Sequence, residues 1–241
     1  MRIYAHRGYR ARYPENTLLA FSKAIDAGCD GIELDVQLTK DRKIVIIHDE
    51  DVSRTTDGSG AVCDMTYARL CELDAGLGEK IPLLSEYFDL AGKLPIYTNI
   101  ELKNSIVPYE GMEELVLEMV RSYGLSNKVI ISSFSHESVN KMKNIALDIK
   151  CGYICGSRFD ADALAAAMRE TNVEYVHPYV NSLDAELMEA VRRNGLKISV
   201  WTVNDEDKMR WLAEQGAYGV FTDDPPLLVA KEVCGPRKVV L

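Results

Sequence analysis

No stretch of this chain approaches the roughly 18 consecutive apolar residues that a membrane-spanning helix requires, so no stable membrane insertion is expected. Positive charge is scarce: 28 Lys and Arg stand against 37 Asp and Glu, a formal net charge of -9. That balance excludes general nucleic-acid binding and a polybasic membrane surface, both of which need a cationic face. An anionic ligand must find its positive charge locally, and the first 25 residues carry Arg2, Arg7, Arg10, Arg12 and Lys23 against Glu15 alone. The six cysteines, at 29, 63, 71, 151, 155 and 234, form neither a compact disulfide framework nor the paired CxxC spacing of a zinc site. Cys151-Gly152-Tyr153-Ile154-Cys155 reads as a buried strand, and reduced thiols in a cytoplasmic protein are expected. Arg2 to His6 already reads as a strand, which leaves no signal peptide ahead of the fold. Low-complexity segments are absent as well.

What is present is alternation. With 47% hydrophobic residues in 241, the chain can bury a sizeable core, and strand and helix signals succeed one another along nearly its whole length. After the strand Arg2 to His6, a helix is expected over Thr17 to Ala27, with Gly28 to stop it. A second strand opens at Gly31; alternation puts Glu33 and Asp35 on one face and Ile32, Leu34 and Val36 on the other. Ile44 to Ile47 follows too soon for a helix to fit between, so Ile44 to His48 is expected to be the returning arm of a hairpin, carrying His48 back toward the two acids. Residues 49–81, punctuated by Asp57-Gly58-Ser59-Gly60 and Gly76-Leu77-Gly78, lose the rhythm and read as an inserted loop or small lobe. Further strands are expected at Ile96 to Leu102, Val129 to Ser132, Lys150 to Ile154, Tyr175 to His177, Lys197 to Trp201 and Gly219 to Phe221. Ser135 and Asn204 suit helix N-caps, and Gly195 and Gly216 helix stops. Without the hairpin arm this makes eight βα units, an α/β chain expected to close as a (β/α)8 TIM barrel in one domain, residues 1–241, with 49–81 as a small insertion after the strand 2 hairpin.

Chemistry-bearing residues fall where such a barrel would gather them. His6, Glu33, Asp35 and Glu101 each lie toward the downstream end of a strand, and His48 ends the hairpin arm. Alternating acids are ordinarily a solvated strand face, but inside a barrel Glu33 and Asp35 would be expensive to bury without a neutralising cation. With Glu101 they offer three oxygen ligands, suited to one divalent cation, Mg²⁺ or Ca²⁺. Two imidazoles beside them can move protons near neutral pH. Arg7 and Lys103 adjoin these groups and can pair with phosphate oxygens, and Gly8 can let the backbone approach a phosphate. Glu15 and Asn16 are expected to orient Arg7 or His6. His136 reads as a surface residue and His177, before Pro178, as a border of the site, neither with a catalytic role.

The segments His6-Arg7-Gly8, Glu15-Asn16-Thr17, Glu33-Leu34-Asp35, His48-Asp49, Arg54-Thr55-Thr56-Asp57-Gly58, Glu101-Leu102-Lys103 and Trp201-Thr202-Val203-Asn204 occur in this order, and in them the chain resembles the glycerophosphodiester phosphodiesterase family. The resemblance runs from residue 3 to about 226. It implies metal-dependent hydrolysis of a small-molecule glycerophosphodiester, such as glycerophosphocholine or glycerophosphoethanolamine, to sn-glycerol 3-phosphate and an alcohol. It also implies His6 and His48 as general acid and base, the same three acids as metal ligands, and Trp201 as an apolar wall for the carbon side of glycerol; Phe134 and Tyr153, by their own places at strand ends, are expected as lesser members of that wall. Two other functions fit parts of the pattern: a lysophospholipase D-like phosphodiesterase, which calls for an apolar ramp that the sequence does not display, and a non-catalytic phosphate-binding module, which would need neither histidine.

Overall fold

The computed structural model describes residues 1–229, so Cys234 lies outside the described residues. Its strands are β1 Arg2–His6, β2 Gly31–Leu38, β3 Ile44–Ile46, β4 Tyr97–Leu102, β5 Val129–Ser133, β6 Lys150–Cys155, β7 Tyr175–Pro178, β8 Lys197–Val200 and β9 Gly219–Thr222. The helices are α1 Leu18–Asp26, α2 Tyr67–Leu70, α3 Leu84–Ala91, α4 Met112–Ser122, α5 His136–Ile145, α6 Ala161–Thr171, α7 Ala185–Arg193, α8 Glu206–Glu214 and α9 Pro225–Val229. Parallel pairing runs β1-β9-β8-β7-β6-β5-β4-β2, and the additional β1–β2 pairing closes the ring. The fold is a TIM barrel of eight parallel strands. β3 is the exception, pairing antiparallel with the end of β2 through Val36↔Ile46 and Leu38↔Ile44. Among the described residues no helix is long and apolar enough to cross a membrane.

The period-two pattern of the strands divides the apolar residues into two layers. Ile3 and Ala5 of β1 and Ile32, Leu34 and Val36 of β2 pack outward against the helices, in the same cluster as Phe21 of α1 and Tyr87 and Phe88 of α3. Tyr4, Ile130, Tyr175 and Phe221 point the other way and plug the barrel interior. The same alternation turns His6, Glu33 and Asp35 inward. Helix entry is set locally: the Thr17 hydroxyl accepts from the Ala20 amide at the start of α1, and Ser135 caps α5 through Ser138. At α8 the cap is Asp205, not Asn204, because the Asn204 side chain is drawn to the end of β9, where it donates to Asp223 and accepts from the Asp223 amide.

Between β3 and α3 the chain forms 3₁₀ turns at Val52–Arg54 and Val62–Asp64 and the single turn of α2. Val52, Val62, Leu70 and Leu73 make an apolar cluster with Val45 and Ile47, separate from the main core. The residues that follow β3 are therefore anchored beside His48.

Candidate functional site

The register of the barrel aligns the acids before any side chain is considered. His6 lies opposite Glu33, Glu33 opposite Asn99, and Asp35 opposite Glu101 on adjacent strands. Oxygen atoms of Glu33, Asp35 and Glu101 all fall within 4.8 Å of one another, and all three residues are buried. The Asp35 Oδ1 atom has no hydrogen-bond partner among the described residues. Buried carboxylates at that separation, one with an orphaned oxygen, fit a hard divalent cation that takes oxygen ligands.

Two fixed cations flank the acids. Lys103 Nζ donates to Glu101 Oε1 at 2.9 Å and lies 4.0 Å from Asp35 Oδ1; Arg7 Nε lies 3.3 Å from Asp35 Oδ2. Burial pushes Glu33 well above the usual carboxylate range, reinforced by the neighbouring Asp35 and Glu101 charges. It pushes Glu101 up as well, with Asp35 adding to the effect. For Asp35 burial acts in the same direction, but Arg7, His48, Lys103 and the Asn16 amide outweigh it and hold the group ionised.

Both histidines are gripped at Nδ1 by an aspartate. His6 Nδ1 donates to Asp223 Oδ1 at 2.7 Å, and His48 Nδ1 donates to Asp49 Oδ1 at 2.5 Å. Each Nε2 is thereby left for the site, and that of His48 accepts from Lys103 Nζ at 3.0 Å. Burial lowers both imidazoles below their ordinary value despite the aspartates. Asp49 is itself clamped by the Arg54 guanidinium, which also donates to Glu15 Oε1 at 2.7 Å. Glu15 in turn accepts from Arg7 Nη1 at 2.9 Å. A single ionic chain thus ties His48 to Arg7 through Asp49, Arg54 and Glu15.

Several expected neighbours differ. Asn16 orients Asp35, donating from Nδ2 to Oδ2 at 2.9 Å, while its backbone amide donates to the Arg7 carbonyl. Arg7 and Asn16 both adopt positive φ, 57° and 58°, a conformation rare outside glycine and often found at functional sites. Gly8 serves packing: a Cβ there would sit 2.7 Å from the Ala20 carbonyl carbon of α1. Trp201 follows β8 and donates from Nε1 to the His177 carbonyl at 2.8 Å; its ring packs 5.7 Å from Phe134 and 5.1 Å from Tyr179. Tyr153 is turned outward, stacked on His136 and bonded to Asn140, because its position in β6 faces the helices. His177 is 1% exposed inside the barrel, packed on Phe221, and among the described residues neither ring nitrogen has a hydrogen-bond partner.

Comparison with known proteins agrees with this geometry. The model of the glycerophosphoryl diester phosphodiesterase family matches residues 6–227. The chain belongs to that family. It is 42% identical over 236 residues to a glycerophosphodiester phosphodiesterase of Caldanaerobacter subterraneus, covering 94% of this chain and 96% of the relative. A Bacillus subtilis glycerophosphodiester phosphodiesterase is 35% identical, covering 92% and 83% respectively. Among solved structures, an Oleispira antarctica phosphodiesterase in complex with the product sn-glycerol-3-phosphate superposes with a TM-score of 0.86 at 30% identity, over 95% of this chain and 96% of that one.

Proposed function

We propose that this family member hydrolyses glycerophosphodiesters, such as glycerophosphocholine or glycerophosphoethanolamine, to sn-glycerol 3-phosphate and an alcohol. One observation carries the reading: three buried carboxylates converge beside two aspartate-held imidazoles and two fixed cations. A phosphate-binding module would have no use for paired, oriented imidazoles. In this reading Glu33, Asp35 and Glu101 hold one divalent cation, Mg²⁺ or Ca²⁺, which when bound supplies Lewis-acid polarisation of a phosphoryl oxygen.

The remaining steps belong to the chain's own groups. Arg7 and Lys103 bind the phosphate oxygens and offset the charge that gathers on them. One of His6 and His48, neutral, takes the proton of the attacking oxygen at Nε2; the other enters the step as imidazolium, with a proton on Nε2 as well as Nδ1, and gives the Nε2 proton to the departing alkoxide. Asp223 and Asp49 hold the two rings so that Nε2, not Nδ1, faces the reaction, while Asn16 fixes Asp35 and Glu15 fixes Arg7. Trp201 borders the carbon side of glycerol, with Phe134 against it. The chain forms one catalytic domain in which residues 49–81 are an excursion beside His48. A cytoplasmic location belongs to the same reading and is supported by unbridged thiols, Cys29 and Cys151 among them, that burial pushes up to about 12.

Purified protein assayed for release of sn-glycerol 3-phosphate from glycerophosphocholine tests the proposal, with and without exhaustive chelation. Release that stops on chelation and returns with added Mg²⁺ or Ca²⁺ is the expected result. No release under any cation would overturn it.

A further inference from the structure

A second concavity opens behind the tryptophan wall, on the loops that follow β6 and β7. Its volume is about 420 Å³, and Gly156, Arg158, Tyr179, Asn181, Ser182 and Asp184 line it. Pockets that hold small molecules run from roughly 300 to 1,000 Å³. Both loops leave the C-terminal ends of their strands, the face on which the carboxylates and imidazoles gather. A continuous row of rings joins the two places. Lys103 Nζ lies 5.9 Å from the centre of the Phe134 ring, Phe134 packs on Trp201, and Trp201 packs on Tyr179 at the pocket's edge.

The charges of the pocket are already spoken for. Arg158 pairs with Asp184 and, at 3.2 Å, with Glu186, so it offers no free guanidinium to an anion. Asp184 is neutralised by Arg158 and also caps α7, accepting from the Leu187 amide at 2.8 Å, so it is a poor seat for an ammonium group. What remains is neutral hydrogen bonding. Tyr179 Oη accepts from Asn181 Nδ2 at 2.9 Å and keeps its own proton to donate. Among the described residues, the Ser157 hydroxyl and the Asn181 side-chain oxygen have no bonded partner. Neutral donors and acceptors beside exposed ring surface match a ligand with hydroxyls along one side and carbon along the other.

We propose that this pocket takes a neutral, hydroxyl-rich group, a sugar or polyol, carried on the glycerol half of the diester. The proposal rests on the reading above, in which Trp201 borders the glycerol carbons: whatever glycerol carries beyond that ring meets Tyr179 and the pocket. Such a group would make this chain a processor of decorated glycerophosphodiesters, with undecorated ones as lesser substrates.

Three substrates test it: glycerophosphocholine, the same diester with a hexose on the terminal glycerol hydroxyl, and glycerophosphoinositol, whose polyol sits on the opposite half. The hexose-bearing diester should exceed glycerophosphocholine in kcat/KM by about tenfold or more, the scale of two or three neutral hydrogen bonds. Gly156→Leu should bring that ratio toward one by filling the pocket. The Gly156 backbone lies outside the left-handed region, and a Cβ there makes only an ordinary 3.5 Å contact with Phe134, so the backbone accepts a side chain at this position. Asn181→Ala should lower the ratio independently. A wild-type ratio near one, a gain with glycerophosphoinositol alone, or a ratio that neither variant changes would overturn the pocket while leaving the hydrolase reading standing. Failure to hydrolyse any of the three would overturn both.

Discussion

Folding stability should report the divalent cation before any substrate is added. Without a cation, the oxygens of Glu33, Asp35 and Glu101 lie within 4.8 Å of one another. At an effective dielectric near 20, each ionised pair at that separation costs roughly 3 kcal/mol. Were all three acids ionised, three negative charges would face only the two positive charges of Arg7 and Lys103, so without a cation part of the cost is met by a carboxyl that stays protonated. A cation bound only by the folded chain stabilises it by about 2.7 kcal/mol at one hundred times its dissociation constant. For a domain of this size each kcal/mol moves Tm by roughly 2–4 °C, so Mg²⁺ or Ca²⁺ should raise Tm by about 5 to 11 °C.

The control is Glu33→Gln. Burial already pushes this carboxyl well above its usual range, so a neutral amide resembles the state that the cation-free protein favours there. An amide oxygen can still accept from the Arg7 backbone amide, as Glu33 Oε2 does at 2.9 Å. The variant should therefore fold about as well as the parent without cation and lose most of the Tm rise with it. Differential scanning calorimetry across a cation series, with isothermal titration on the same samples, makes the measurement. A parent Tm that stays fixed under saturating Mg²⁺, Ca²⁺ and Mn²⁺ would remove the three acids from any metal role.

His6→Ala and His48→Ala should each lower kcat by roughly 10² to 10⁴-fold while KM changes far less, and a variant with near-normal kcat would strip that imidazole of its part. Asp49→Ala should free the His48 ring and release Arg54 together, lowering kcat by about 10 to 100-fold; the same loss in a His48→Ala background would show that Asp49 acts elsewhere. His177 should make the fold sensitive to acid. Burial lowers it to about 3, so as pH falls below about 6.5 only the unfolded chain takes up this proton, and stability drops by about 1.4 kcal/mol per pH unit until the folded pKa is reached. His177→Leu should flatten urea midpoints between pH 6 and pH 4, and an unchanged slope would refute the assignment. Replacing residues 55–75 with a short Gly/Ser linker should change kcat/KM ratios between glycerophosphocholine and glycerophosphoethanolamine while leaving cation affinity largely intact; constant ratios would make the segment structural.

The barrel was legible in the sequence because each of its units satisfies a local rule. Ile32, Leu34 and Val36 alternate with Glu33 and Asp35, and the interval between Leu38 and Ile44 is too short for a helix, which forces the hairpin seen as β3. Strand ends were recovered to within a residue or two, since capping and fraying fix those positions more loosely than alternation does. Local rules failed where a side chain had a remote partner. Asn204 looks like a helix cap by spacing, but Asp223, 19 positions later, takes its amide and leaves the cap to Asp205. Tyr153 looked like a wall residue from its place near a strand end, whereas the parity of its position in β6 turns it toward α5.

The aspartates behind the histidines were the larger omission, and one of them could have been found. Asp49 adjoins His48 in the chain, but adjacency alone does not say that the two side chains meet, and only the turn after β3 brings them to 2.5 Å. Asp223 is 217 residues from His6, beyond the reach of any pattern in a window. Closure supplies the missing step. In a parallel ring of eight, the last strand must lie beside the first, so the residues that follow Phe221 emerge next to those that end β1. The sequence there is Thr222-Asp223-Asp224, and an acid at that point has a buried imidazole as its nearest titratable neighbour. Topology, once eight units are counted, therefore predicts a contact between the end of β1 and the residues after β9 that neither segment discloses alone.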